Sequence, residues 1–546
     1  MAKSDRNAIH TDYAYRPELR IHSGGLVNSE IPETLGYDQS PNLLNVRPLG
    51  RGRYGMRNGI EMLGNATAGS GALQSLYTFK KGTTEILTRT YAQKIQYLNS
   101  ATWTDVPGLG AITVTTNLKF GFANDRTYMY LGNGVDDFMY WDGTASNIVQ
   151  SNSLGKPKGN IYEFYLNRLC VAGDVANPAT LYYSKTGNAL DFTFGSPRVA
   201  DDGGSLLIGN GGDPITSLKS LILAEGTSAL IVFKKSSRIY SVTFSAEGLP
   251  AIKELKKYTG AVNDRTTLYF GNDLMYVEEN NNIQMLGIKE GVETILSKQQ
   301  ASNDLDEATP DLDFSNACAF YFNRKKFAIF TAASFGSTTN DVSFVYFEKY
   351  QSWWKWSGIN ANQYAEYNKR LVWASSIDLN VYQMNDAFDD LGNSILSYRD
   401  TKDIDLADLK DSPMGIGFRY KQCRYWFIEG FMSANSVLRF KTIYDANEDN
   451  SAETVITGTD DVVDEQIALV LGRKVFGFDA FGGSAESPSN FPMQHFVARI
   501  SIDAFSFQKI RLRIEQSEVG APYVITKICP WIGVQPDDMF PDSRKI

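Results

Sequence analysis

ILTRTYAQKIQYLN at Ile86–Asn99 and RTYMYLGNGVDDFMYWDG at Arg126–Gly143 share one form: a β-rich run, a short polar turn, a second β-rich run. The form returns as NRLCVAGDVANPATLYYS at Asn167–Ser184 and TSALIVFKKSSRIYSVT at Thr227–Thr243. It returns again as DLMYVEENNNIQML at Asp273–Leu286, NRKKFAIFTAASFGSTTNDVSFVYFEKY at Asn323–Tyr350 and NKRLVWASSIDLNVYQM at Asn368–Met384. About seven copies at intervals of roughly 40–60 residues match the period of a propeller blade. A lone hairpin has nowhere to bury its apolar face, so repeats at this spacing must stack on one another. The pattern predicts a scaffold before it predicts an active site.

Composition agrees with an all-β protein. The 29 tyrosines and 31 phenylalanines favour strands over helices. The net charge of −9 argues against a protein that grips nucleic acid through its phosphates, which needs an excess of Lys and Arg. It leaves room for a surface past which nucleic acid slides. Cys170, Cys318, Cys423 and Cys529 stand far apart with no CxxC pair, and read as thiols packed like small apolar residues. His10, His22 and His495 are the only histidines, which disfavours a His/Cys metal centre. MAKSDRNAIH opens the sequence without an apolar signal region, and no run of about 18 apolar residues follows. Synthesis in a reducing cytoplasm is expected.

Three regions are expected. Residues 1–70 hold little periodicity and read as an extended arm with a few short strands and a basic turn, RGRYGMRNG at Arg51–Gly59. Its arginines are expected to meet neighbouring carboxylates. Residues 71–400 carry the hairpin array, punctuated by Gly132-Asn133-Gly134 and Asp142-Gly143, residues that tolerate positive φ. The acidic stretch Ala301–Asp313 reads as exposed. Residues 401–546 begin with a short helix or linker, Thr401–Pro413, then longer strands. LRFKT at Leu438–Thr442 and IRLRI at Ile510–Ile514 alternate with the period of half-buried strands. This region reads as an antiparallel sandwich of jelly-roll kind, with an acidic mobile loop at Asp445–Asp464.

Several constellations invite chemistry. Asn133, Asp136 and Asp137 offer oxygens to a cation, but the distal Glu of a calcium loop is missing, so a hairpin turn is the natural reading. Gly209–Pro214 (GNGGDP) lacks the frame of a phosphate loop and reads as a flexible connection. Trp353, Trp354 and Trp356 are a sugar-stacking candidate; in a strand, Trp354 and Trp356 share a face, and packing is the expected role. Glu278 and Glu279 beside Asn280–Asn282 read as a solvated turn rather than a glycosidase pair. No GxSxG, HExxH or Ser/His/Asp pattern appears, nor the GH…WD frame of WD40 repeats. No catalytic, cofactor-binding or metal-ligating residue is assigned.

The segment His22–Leu63 resembles an arm of bacteriophage tail proteins that carry a β-propeller. The matching residues are Gly24, Gly25, Leu26 and Asn28, then Leu44, Asn45 and Val46, then Arg57 and Gly59. Asn58 stands where that family usually has proline. YLGNGVDDFMYWDG at Tyr130–Gly143 and LYYSKTGNALDF at Leu181–Phe192 are similar to its blade phrases. The group it looks most like is the tail nozzle of short-tailed phages, also called tail tubular protein B, with the phage stabilisation or hub proteins as kin.

The resemblance implies a non-enzymatic virion component: a homo-oligomeric ring, six subunits by analogy, below the portal and adaptor. It implies contacts to tail fibres or spikes and genomic DNA passing through a central channel without specific binding. Together these readings give an all-β chain: an N-terminal arm, a β-propeller of about seven blades and a C-terminal β-sandwich. The strand near Leu43–Val46 is expected to close the propeller or reach a neighbouring subunit. A carbohydrate-binding or glycan-cleaving propeller for host-surface recognition is the alternative, resting on Trp353–Trp356 and the many tyrosines.

Overall fold

The computed structural model describes residues 14–15, 24–50, 52–115, 118–144, 146–222, 228–236, 238–245, 247–288, 296–300, 303–305, 311–407, 420–458, 467–471 and 493–534. The chain is all-β and propeller-like. Its contacts divide it into two units: residues 61–345 with 357–384, and residues 1–60 with 346–356 and 385–546. These lines fall differently from boundaries at residues 70 and 400, because the N-terminal residues group with the C-terminal ones.

Seven four-stranded antiparallel sheets follow one another along the chain. In each, the second and third strands are a hairpin read from the sequence: Thr84–Tyr91 with Lys94–Asn99 in the first sheet, Arg370–Ser375 with Val381–Met384 in the seventh. The first strand of each sheet lies beside the first strand of the next or its leading turn. The series runs Ser75–Lys81, Gly121–Asn124, Ile161–Tyr165, Ile215–Ile222, Leu268–Phe270, Asp313–Phe322 and Ala361–Tyr367, which returns to Ser75–Lys81. The series is therefore a closed ring.

Alternation along the middle strands explains the stacking. In Arg168–Ala172, Leu169 and Val171 pack with Tyr130 and Phe138 of the second sheet, while Cys170 and Ala172 pack with Leu230 and Val232 of the fourth. A period-2 strand places successive side chains on opposite faces, and here both faces are covered. The seam between the last and first sheets is filled in the same way, by Leu76, Leu87 and Leu98 against Val372, Ala374 and Val381.

The outer strand of the seventh sheet is Ile60–Leu63. Glu61 on this strand accepts from Arg370 Nη1 and Gln383 Nε2, both at 2.6 Å. The strand expected to close the ring, near Leu43–Val46, goes elsewhere. Leu43–Leu44 pairs with Ser397–Asp400, and Val46–Gly50 pairs with Arg53–Met56. The reason is local: Asn45 takes φ 52°, which breaks the strand and sends its two halves into different sheets.

The other unit contains, among the described residues, a small parallel pair, Gly25–Leu26 with Gln39–Ser40, and two large sheets. One orders Ile467–Leu471, Met493–Phe507, Lys421–Ser433, Tyr523–Val534, Arg53–Met56 and Val46–Gly50. The second orders Asn447–Thr457, Val437–Tyr444, Ile510–Gln516, Ser397–Asp400 and Leu43–Leu44. The indole of Trp426 on the first donates to Thr442 Oγ1 on the second at 3.1 Å, and Leu438, Phe440, Leu512 and Ile514 are fully or almost fully buried. The loop expected from Asp445 is instead a tight hairpin. Asp445 and Ala446 take φ 51° and 59°, and Asn447–Thr457 pairs with Val437–Tyr444. Residues 459–464 of that stretch lie outside the described ones, as do 301–302, 306–310 and 408–413. Within the stretch expected to be exposed, Leu305 and Leu312 are buried. Thr401–Asp403 is buried rather than helical, and Ile404 bridges Ile510.

Because Ile60–Leu63 is the outer strand of the last sheet, deleting residues 1–64 bares a sheet edge and should lower the melting temperature and promote association. Differential scanning calorimetry with size-exclusion chromatography checks this; an unchanged Tm in a monodisperse product refutes the closing role.

Candidate functional site

Three of the residues that carried the N-terminal resemblance, Asn45, Arg57 and Gly59, converge. Arg57 is fully buried and forks onto Asp390, with Nη1 to Oδ1 at 3.0 Å and Nη2 to Oδ2 at 2.5 Å. Its Nε donates to Asn45 Oδ1 at 2.9 Å, and its backbone N–H donates to the Asn45 carbonyl at 2.9 Å. Asn45 Nδ2 in turn donates to the Leu396 carbonyl. Asn58, standing in the proline's place, contributes its carbonyl to Arg57 Nη1 at 2.8 Å. Gly59 lies so close to the chain that a Cβ there would sit 2.1 Å from the Asp389 carbonyl oxygen. Gly25, at φ 68°, would place one 2.3 Å from the Trp353 carbonyl. The arm motif is thus a buried hydrogen-bonded node. The expectation that the basic turn meets carboxylates holds for Arg57.

The other candidates are structural. Asn133 Oδ1 caps the N–H groups of Val135 and Asp136, and Asp136 accepts from Asn133 Nδ2, Thr115 N and Thr115 Oγ1. That carboxylate is spent on a turn, and the structure contains no metal-binding cluster among the described residues. Asp213 in the glycine-rich connection caps Ser236. Trp353, Trp354 and Trp356 are buried; Trp356 donates to the Val46 carbonyl at 2.8 Å and Trp354 to Ser352 Oγ at 3.0 Å. Trp354 and Trp356 both meet Phe347 edge-on, and Trp353 meets Tyr346, as strand alternation requires. One expectation fails: Glu278 is not solvated but buried, accepting from Gln284 Nε2 at 2.9 Å, because its strand-end position faces the neighbouring strand. Ser184, in the second blade phrase, accepts from Leu169 N and ties its hairpin.

The cluster that sequence reading missed lies on the axis of the ring. Lys119 leads into the second sheet, and its Nζ donates to Asn316 Oδ1 of the sixth at 2.9 Å. Arg265 leads into the fifth. It donates to the Asn362 carbonyl of the seventh sheet at 2.9 Å, and to the Gln74 carbonyl and Ser75 Oγ of the first at 2.9 and 3.0 Å. Bonds between non-adjacent sheets of a closed ring can only cross its middle. Further along the inner strands, Tyr269 of the fifth sheet donates to Glu163 Oε1 of the third at 2.6 Å, and Ser220 N donates to Tyr269 Oη at 2.8 Å. Lys219 pairs with Asp264 at 2.7 Å, which also accepts from Ser217. Tyr77 stacks on Phe122 with centroids 5.0 Å apart.

Electrostatics here hold protons in place. Burial raises the Glu163 carboxyl above its usual range, with Lys219 opposing. Burial, then the Glu163 charge, raises the Tyr269 phenol. Both shifts favour the protonated forms, the opposite of what a phenolate nucleophile needs. Tyr269 retains 40 % of its exposure, so water reaches this depth of the axis. At the starting end of the inner strands, burial, then the Arg265 charge, brings the Lys119 ammonium down to about 7. Burial also lowers Arg265, to about 10. The signal in the sequence was a charged residue inside an otherwise apolar inner strand, as in Glu163 of IYEFY and Lys219 of ITSLKSLI.

These features define an all-β, propeller-like protein whose axis is bridged by polar side chains and whose N-terminal motif is a packing node. No family model matches the chain, and no curated protein matches it. Among solved structures, the computationally designed Ika8 protein aligns over 60 % of this chain and 100 % of its own. The identity is 11 % and the TM-score 0.35, too low to carry an argument.

Arg57→Leu removes the ion pair and leaves Asp390 with its charge and no fork. It should cost about 3 kcal/mol, read from urea unfolding. A Lys119→Met variant isolates the axial ammonium. The unfolded chain holds that proton up to roughly pH 10.4, the folded chain only to about 7, so wild-type stability rises with pH between them. The stability advantage of Lys119→Met should be greatest at and below pH 7 and shrink toward pH 10. A pH-independent difference between the two proteins contradicts the assignment.

Proposed function

We propose that this chain is a structural subunit of a bacteriophage tail, of the nozzle (tail tubular protein B) or hub class. In this reading it assembles into a ring below the portal and adaptor, closes the DNA exit channel before infection and lets the genome pass afterwards. The observation that carries the reading is the node of Asn45, Arg57 and Gly59. The residues on which the tail-protein resemblance rests are the ones that lock the N-terminal segment in place, so the motif has a physical reason to recur in such arms.

Two further features support it. Lys119 and Arg265 cross the axis within one chain, so a DNA passage in this reading lies between subunits. The net charge of −9 suits a wall past which DNA slides, because it avoids the salt-dependent gripping of a basic surface. The glycan-binding alternative loses its main support, since the three tryptophans it rested on are buried.

Mass photometry of the purified chain, alone and with the adaptor of its virion, followed by negative-stain imaging, tests the proposal. A ring with a central opening and weak binding of duplex DNA at physiological salt is expected. A monomer that stays monomeric with the adaptor present overturns it.

A further inference from the structure

The starting end of the ring axis brings two cations together, and Asp264, next to Arg265 in sequence, only partly offsets them. Arg265 Nη2 donates to Ser75 Oγ at 3.0 Å, and the same Ser75 Oγ accepts from Phe120 N at 2.8 Å. Lys119 directly precedes Phe120, so both cations converge on one junction. The Arg265 guanidinium is occupied by two carbonyls and a hydroxyl, all neutral. Lys119 Nζ uses one donor, on the neutral Asn316 amide. Among the described residues neither cation is ion-paired. Asp264, adjacent to Arg265 in sequence, is turned to Lys219 and Ser217. The nearby Cys318 is a buried thiol whose own pKa is pushed up to about 12 by burial, so it supplies no negative charge at neutral pH. Asn316 is exposed, so the junction opens to solvent.

Two like charges held together in a desolvated place repel each other unless an anion sits between them or one gives up its proton. Burial first and the Arg265 charge second push Lys119 toward the second outcome. The ammonium retains two donors, and Asn316, whose Oδ1 it meets, carries amide N–H donors of its own, so the first outcome has its ligands at hand. We propose that Lys119 and Asn316, with Arg265 behind them, form an anion site on the propeller axis that takes one small oxyanion of the phosphate class. The axis, crossed by these side-chain bonds, favours a free ion over a polymer backbone. This site does not depend on the tail reading: it is a property of the ring.

The test is thermal unfolding of the full chain in inorganic phosphate against potassium chloride at matched ionic strength. Wild type should be stabilised by phosphate in a saturable way. Lys119→Met should melt at or above the wild-type temperature without phosphate, since the repulsion is gone. Its phosphate affinity should be weaker by about tenfold or more, the scale of one charge-assisted hydrogen bond. Asn316→Asp supplies a built-in counter-charge and should abolish the response while leaving the fold intact. Equal phosphate responses in all three proteins, or none in wild type, overturn the site. A short single-stranded oligonucleotide that reproduces the Lys119-dependent shift overturns the assignment to a small free ion.

Discussion

Sheets of the ring carry apolar side chains on both faces, and among the described residues no α-helix covers them, so they are covered by the sheets beside them. The rest of the structure follows from this. Leu169 and Val171 bury against one neighbour and Cys170 and Ala172 against the other, so a strand that alternates in direction need not alternate in polarity. Burial on both faces gives each side chain the full transfer gain, about 25 cal/mol per Å² of apolar surface. It also means that no sheet is stable by itself. The series must close, and closure requires the last sheet to meet the first, as it does at Leu76 and Val372.

Closure creates the axis, and the axis is where the ring departs from apolar packing. Inner strands of successive sheets run side by side, and their side chains meet partners from across the ring as well as from next door. Glu163 meets Tyr269 two sheets away, and Arg265 reaches the first and seventh sheets from the fifth. These bonds fasten sheets that share no apolar seam. They also confine charge, which is why proton affinity rises at the carboxyl and the phenol and falls at the ammonium.

The hairpins were legible because each is local: two β-rich runs and a turn within 14 to 28 residues, a range over which turn chemistry and period-2 patterning dominate. All seven fall on the second and third strands of a sheet. The inner and outer strands were harder, since they are short, and what makes them strands is a partner distant in sequence. Leu43–Val46 shows the limit. Its composition reads as one strand, yet Asn45 at φ 52° divides it between two sheets. Asp445–Ala446 is another case, a tight turn without glycine that left an acidic stretch looking like a loop. Single charges such as Glu163 and Lys219 stood out in apolar strands, but the axial cluster could not be assembled from them, because its members come from different sheets and only ring closure places Lys119 near Asn316.

The outer strand of the seventh sheet has a consequence in time. Glu61 and its partner Arg370 are 309 residues apart, so during synthesis at roughly 5–20 residues per second the first waits about 15–60 s for the second. The segment just before it waits longer still, for Ser397–Asp400 and then for Tyr523–Val534. The ring unit is complete only when residue 384 of 546 has emerged and the other unit only near the end of the chain. A nascent chain of this design therefore carries unsatisfied strand edges for most of its synthesis. Its yield in a cell should be governed by how well those first sixty residues are kept from pairing with something else.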